Sequence, residues 1–410
     1  MKIIRLLIIL FPLFALFWLP LSELAIGAYT FKITLSDLVL LIISFAFIAK
    51  KSSFTKINTS GVKIIFCCWL ICLSSILSSL INSGYRDALA DLITYSKRIG
   101  EYSLLVLILP ALCSYKEKMH SLYSLNIIGI IISFNAIVEY YKSGGRAGSW
   151  LIYPNNLGLF SVLIANFSLS TYIFSKKRGI RAISALCILS SFLSLWASGS
   201  RAASLGLLGS IFFWIFEKRG NKYSKVKMIL LIAFLILLIG IIGFIENKLN
   251  IKGDGVDLFE RWTEVASEGT DTIQIYSRLE ASKVGLKLFL DFPIMGAGIH
   301  NVPIFSSRYL RFSNYFTLDE SVNNVGNQYL QILVEGGIIA MLFFIYMIYK
   351  IFKILFLAKS YEKNNLNLIF IQSLLSISIS LLISGLGMHT FYVPQVMSLY
   401  WYVLGMIYVK

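Results

Sequence analysis

The feature that most limits what this chain can fold into is a near-continuous succession of apolar runs, interrupted once. About twelve segments stay apolar over roughly 17 residues or more, long enough to cross a hydrocarbon core at about 1.5 Å per residue. Between Asn247 and Gly326 lie about 80 residues too polar for a membrane. The bilayer core offers no partners to backbone N–H and C=O groups, so runs of this length cross as helices. The expected fold is therefore all-α, a single polytopic integral membrane domain over residues 1–410. About 12 transmembrane helices are expected at this spacing, with one large extracytoplasmic loop, 247–327, between helices 9 and 10. Hydrophobic residues make up 57% of the chain and charged residues 14%, which excludes an ordinary soluble globule.

Taken in order, the expected helices run from about Ile3 to Leu19, Ile33 to Ala49 and Val62 to Leu80. A less apolar segment follows, in which Lys97, Arg98 and Glu101 precede a run to Leu112. The next runs from about Leu122 to Tyr141, and another starts near Asn156. Two more meet at Ala197-Ser-Gly-Ser-Arg-Ala-Ala. The last four are about Met228 to Ile245, Gln328 to Tyr349, Leu366 to Met388 and Val396 to Val409. The N-terminal run lacks a small-residue cleavage site at Leu19-Pro20-Leu21-Ser22-Glu23 and is expected to stay as the first helix.

A formal net charge of +16 raises the question of a nucleic-acid partner, and its distribution answers it. Basic residues gather in alternate loops, at Lys50-Lys51, Lys176 to Arg181, Lys218 to Lys227 and Lys350 to Lys363. That is the positive-inside pattern, with both termini in the cytoplasm. The large loop, by contrast, holds eight Lys or Arg against ten Asp or Glu. The surplus charge reports topology, and no nucleic acid is expected. Cys67, Cys68, Cys72 and Cys187 lie within apolar runs and Cys113 ends one, so neither a disulfide framework nor a zinc site is indicated.

Three arginines, Arg146, Arg201 and Arg278, stand where the expected topology turns outward. Arg146 lies in a glycine-rich loop, Arg201 follows the tight turn Ser198-Gly199-Ser200, and Arg278 opens a segment suited to the membrane surface. A guanidinium is always charged and forks onto phosphate oxygens, so three of them suggest a phosphate-bearing ligand at headgroup level. The other reading of each is snorkelling to lipid phosphates. Arg308 and His300 share the large loop, and His300 is either a base or a turn residue. No His-Glu-x-x-His, Walker A or Gly-x-Ser-x-Gly pattern is present, so ATP-driven transport and the common hydrolase mechanisms gain no support.

Four stretches together resemble the O-antigen polymerase and O-antigen ligase superfamily of bacterial envelope proteins. They are Tyr153-Pro-Asn-Asn-Leu-Gly, Ser200-Arg-Ala-Ala, Asp291-Phe-Pro-Ile-Met-Gly-Ala-Gly and Asn327-Gln-Tyr-Leu-Gln-Ile-Leu-Val-Glu-Gly-Gly. The resemblance implies a GT-C-like, metal-independent glycosyltransferase of the bacterial plasma (inner) membrane, with no cofactor. Its donor would be an undecaprenyl-diphosphate-linked oligosaccharide, used at the outer face. Membrane lipid and a chain-length regulator are the other partners it implies. Arg201 and Arg278 match arginines placed around the donor diphosphate in ligase-type members, and Arg146 matches an outer-loop arginine of polymerases. Where the ligase pattern usually has His-Asn, this chain has Gly326-Asn327.

Physical chemistry accepts the role independently. A lipid-diphosphate leaving group needs its developing charge neutralised, which arginines can do without Mg²⁺. A sugar hydroxyl acceptor needs a positioned base, for which Glu280, Asp319, Glu320 and His300 are candidates. The expected catalytic set is Arg278, Arg201 and Glu280. Arg146, Asn327, Arg308 and His300 are expected to bind substrate, and no residue to bind metal. The missing histidine favours a repeat-unit polymerase over a ligase that moves finished glycan to lipid A core or protein. A flippase for the same lipid-linked sugar is a third reading, but it calls for mid-membrane charges along a pathway.

Overall fold

The computed structural model describes residues 2–16, 20–26, 29–50, 59–83, 85–143, 145–216, 272–299, 301–310 and 325–409. The expected helix at about Met228 to Ile245 and the loop stretches 247–271 and 311–324 lie outside the described residues.

Helix α1 (Lys2–Leu16) leads into a hairpin of β1 (Pro20–Ile26) and β2 (Tyr29–Thr34) and then α2 (Leu35–Ala49). α3 (Thr59–Asn82) is followed by α4 (Tyr85–Tyr95), a π-turn at Ser96–Gly100, a 3₁₀ turn at Glu101–Leu104, and α5 (Leu105–Leu112). Next come α6 (Tyr115–Ser143), α7 (Pro154–Phe174), α8 (Arg178–Ser198) and α9 (Arg201–Phe216). After the undescribed stretch follow α10 (Thr272–Asp291), α11 (Asn301–Leu310), α12 (Gln328–Tyr361), α13 (Asn365–Ser384) and α14 (Pro394–Ile407). Among the described residues six helices, α3, α6, α7, α8, α12 and α13, are long and apolar enough to cross a membrane. Four shorter apolar helices accompany them, at Ile3–Leu16, Leu35–Ala49, Glu101–Leu112 and Arg201–Phe216. The chain is thus a helical, polytopic membrane protein.

The hairpin is a small β element in an otherwise helical chain. Residues 20–32 read as a short connection, yet in Tyr29-Thr-Phe-Lys-Ile-Thr every residue but Lys32 is β-branched or aromatic, which suits a pleated strand. The strands pair antiparallel, with Ile26 opposite Tyr29 and an irregularity between Pro20 and Ser22. Thr34 N–H then donates to Asp37 Oδ2 at 2.7 Å and starts α2. The same carboxylate takes Lys97 Nζ at 2.5 Å and the Tyr102 hydroxyl at 3.0 Å. The π-turn places Lys97 on Asp37, so the segment before Leu112 is two short helices joined by a distortion rather than one rod.

The chain packs into two compact units. The first comprises residues 1–114, 268–357 and 385–410, and the second 115–267 and 358–384. In the second, α7 is the most enclosed helix, with 83% of its apolar window buried. Small residues let its neighbours close in: a Cβ on Gly158 would lie 2.6 Å from Ser200 Cβ, and one on Gly206 would lie 2.5 Å from the Ser380 carbonyl. Buried polar side chains then tie helices together. Asn166 Nδ2 donates to Ser380 Oγ at 3.1 Å, and Trp214 Nε1 donates to Asn166 Oδ1 at 3.4 Å, linking α7 to α13 and α9. Asn166→Leu is expected to cost about 0.6–2 kcal/mol, the range for hydrogen bonds between membrane helices. Thermal unfolding in detergent should show a lowered midpoint, and an unchanged one would assign the packing to van der Waals contact alone.

Candidate functional site

In the second unit, the turn between α8 and α9 organises the surface that carries Arg146 and Arg201. α8 ends in Gly199 at φ 58°, the left-handed closing residue a helix end favours. The carbonyls of that last turn need donors, and the loop after α6 supplies them. Ala147 N–H donates to the Ala197 carbonyl at 3.0 Å, and Arg146 Nε donates to the Ser198 carbonyl at 2.8 Å. Arg146 Nη2 reaches Asn155 Oδ1 at 2.8 Å, in the first turn of α7. The loop is held from behind by Glu139, whose two carboxylate oxygens accept the N–H groups of Gly148 (3.1 Å) and Ser149 (2.6 Å). Ser149 and Ile152 adopt positive φ there, at 50° and 68°.

Arg201 follows the turn as the first residue of α9 and is half-buried. Arg146 lies against Gly199, so the turn brings together two of the arginines singled out in the sequence. The N-termini of α7 and α9 add the partial positive charge of their unpaired N–H groups. Two guanidinium-bearing residues and two helix N-termini, with the Glu139 carboxylate already engaged by backbone donors, suit an anion such as a diphosphate. Their roles differ, however. Arg146 braces the turn, and Arg201 opens the helix that follows it.

In the first unit the two motifs at 291–298 and 327–337 lock into one another. α12 carries a break at Gly337, with φ 67° and ψ −165°. The carbonyls of Val334 and Glu335 lose their helical donors there, and the N–H groups of Ile338 and Ile339 lose their acceptors. The turn after α10 replaces all four. Ala297 and Gly298 N–H groups donate to the Val334 and Glu335 carbonyls at 2.7 and 3.0 Å. Ile338 and Ile339 N–H groups donate to the Pro293 and Ile294 carbonyls at 2.9 and 3.3 Å. Ser78 Oγ holds the turn through the Gly296 carbonyl at 2.5 Å. The Glu335 side chain is fully buried and accepts from Gln331 Nε2 at 2.5 Å, which gives it a structural place. Ala281, Val284, Leu288, Val302, Val325 and Val334 form the apolar core beside this joint.

Asn327 caps α12, its Oδ1 accepting the Leu330 N–H at 2.8 Å. Gly326 before it has φ 85°. Glu280 is paired with Lys283 at 2.7 Å, one helical step away on α10. Arg278 lies within α10 and Arg308 within α11, but the side chains of both lie outside the described residues. His300, Asp319 and Glu320 lie outside them altogether. Arg146 and Arg201 belong to one unit, and Arg278, Glu280, Asn327 and Arg308 to the other. The sequence alone does not reveal the lock of Ser78, the 293–298 turn and Glu335 around the α12 break. Its only sequence signal is the pairing of Gly-Ala-Gly with Glu-Gly-Gly.

No curated protein matches the chain. Residues 157–345 match the family model described as O-antigen ligase. The matched stretch starts in the first turn of α7, includes the Arg201 turn, and ends beyond the break in α12. Over those residues, which carry most of the motifs just described, the chain is similar to the O-antigen ligase family, whose members are membrane enzymes that transfer glycans.

Proposed function

We propose that the protein polymerises undecaprenyl-diphosphate-linked oligosaccharide repeats into a surface polysaccharide at the outer face of the bacterial plasma membrane. In this reading a hydroxyl oxygen of the acceptor repeat attacks the anomeric carbon of the donor. The bond from that carbon to the diphosphate oxygen breaks, and the lipid diphosphate leaves with the electron pair. The hydroxyl proton passes to a base in the large loop. Arg201 and Arg278 neutralise the charge that grows on the leaving group, and Arg146 positions the Ser198–Arg201 turn. Asn327, Arg308 and His300 contact the glycan.

The observation that favours polymerase over ligase is Gly326. Its φ of 85° lies in the left-handed region, where a histidine side chain would be strained. The backbone therefore disfavours the histidine that the ligase pattern usually carries before Asn327. The ligase reading keeps the support of the matched family's description. The two separate in a reconstituted reaction. Purified protein given only the lipid-diphosphate repeat unit should make a ladder of products spaced by one repeat, without lipid A core, divalent metal or nucleotide. A ladder forms only when one donor molecule also serves as acceptor. A protein inert until lipid A core is added would be a ligase.

A further inference from the structure

A second anion-suited feature lies in the same unit as Arg146 and Arg201, among the lysine-rich turns. Where α7 gives way to α8 and α13 begins, a groove of about 220 Å³ opens beside the start of α6. Its floor is apolar, formed by Leu122, Ile180 and Leu366, and its rim carries Lys176, Lys177 and Asn365. Both lysines are exposed, and among the described residues neither has an acidic partner. Each wall is fixed. Arg181 Nε holds the Ser175 carbonyl at 2.8 Å, and Lys177 N–H donates to Ser175 Oγ at 3.3 Å. Opposite, Glu362 accepts the N–H groups of Lys363 and Asn364 at 3.0 and 2.8 Å and the Asn367 amide at 2.8 Å. Asn367 Oδ1 in turn accepts Lys118 Nζ at 2.6 Å. Partial burial pushes the Glu362 carboxyl up, but these donors and the Lys118 charge outweigh it and hold the group below the usual carboxylate range. Glu362, next to the groove wall at Asn364–Leu366, is thus committed internally, and the rim carries the two lysines.

We infer that this groove binds an anionic glycerophospholipid, its phosphate between Lys176 and Lys177 and its acyl chains against the apolar floor. A soluble anion would use the lysines but gain nothing from Leu122, Ile180 and Leu366, and a neutral lipid would use only the floor. The combination fits a ligand with a charged head and apolar tails, at the level where apolar helices meet basic turns. The site is independent of the glycan-transfer reading.

Native mass spectrometry of the purified protein in detergent, titrated with phosphatidylglycerol or phosphatidylethanolamine, tests it. Each lysine at a membrane surface strengthens anionic-lipid binding by about fivefold, so the double variant K176A/K177A should weaken phosphatidylglycerol roughly 10- to 30-fold. K350A/K353A, which removes two lysines from α12 instead, should bind as the parent does. Inorganic phosphate in excess should not displace the lipid. Equal affinity in the parent and K176A/K177A, or equal affinity for the two lipids, would overturn the proposal. Displacement by phosphate would do the same and make the groove a soluble-anion site.

Discussion

Arg201→Ala is expected to slow polymer formation by roughly 30- to 1,000-fold while the protein accumulates normally in the membrane. The magnitude follows from removing one charge-assisted contact to a leaving diphosphate in a poorly solvated site, about 2–4 kcal/mol of transition-state stabilisation. Arg278→Ala should behave alike, and lysine at either position should restore only part of the rate, because an ammonium lacks the fork. Arg146→Ala provides the contrast. Its guanidinium holds the Ser198 carbonyl and Asn155, so its loss should lower thermal stability together with activity. Polymer length distributions and membrane abundance, measured side by side, separate the two outcomes. Near-parental polymer from both Arg201→Ala and Arg278→Ala would remove the diphosphate role. Reduced abundance of Arg201→Ala alongside lost polymer would make Arg201 a brace like Arg146.

Much of this architecture could be read from the chain because apolar length is a direct physical signal. The runs that became α3, α7, α8 and α13 announce themselves by hydropathy, and Pro154 marks the start of α7, where a missing N–H costs nothing. The hairpin at 20–34 was hidden by brevity, since each strand is shorter than the apolar helices that flank it. The distortion at Ser96–Gly100 carries Lys97 onto Asp37, some sixty residues earlier, a contact that no local pattern reveals. The Lys118–Asn367 contact joins positions 249 apart in the chain. For the site, the expected topology pointed to Arg146 and Arg201 because both stand where the chain turns outward and a guanidinium forks onto phosphate. It did not distinguish the arginine that braces a helix end from the one that starts the next helix. That difference lies in which carbonyls the fold leaves unpaired, and only the turn geometry shows it.

The break in α12 bears on both halves of the family pattern. Asp291-Phe-Pro-Ile-Met-Gly-Ala-Gly and the stretch Val334–Ile339 around Glu335-Gly-Gly lie some forty residues apart, yet they exchange four backbone hydrogen bonds. The lock orders the turn that leaves α10, the helix of Arg278 and Glu280. It also fixes the helix that Asn327 caps. Motif and position are therefore one feature: glycines at 296, 298 and 337 allow a loop to substitute for a missing helical turn. This explains a sequence signature without assigning any of those residues to the chemistry.

Gly337→Val is accordingly expected to abolish folded protein rather than merely slow the reaction. At φ 67° and ψ −165° the residue occupies a region essentially restricted to glycine. A Cβ there would lie 2.6 Å from Gly296 N and closer still to the Ile294 carbonyl oxygen. The side chain could be accommodated only by expelling the 292–298 turn. The Val334 and Glu335 carbonyls and the Ile338 and Ile339 N–H groups would then be left without partners. Each such group in an apolar surrounding costs about 1–3 kcal/mol, so four together cost an amount comparable to the roughly 5–15 kcal/mol margin of a folded domain. Gly179→Ala serves as the control, because nothing lies within 4 Å of the added carbon and the residue sits in the first turn of α8. Membrane abundance and thermal unfolding in detergent read the result. Gly337→Val should be degraded or unfold far below the parent, while Gly179→Ala matches it. A Gly337→Val protein of normal abundance and midpoint would mean that the turn and the broken helix do not depend on each other, and the lock would have to be abandoned.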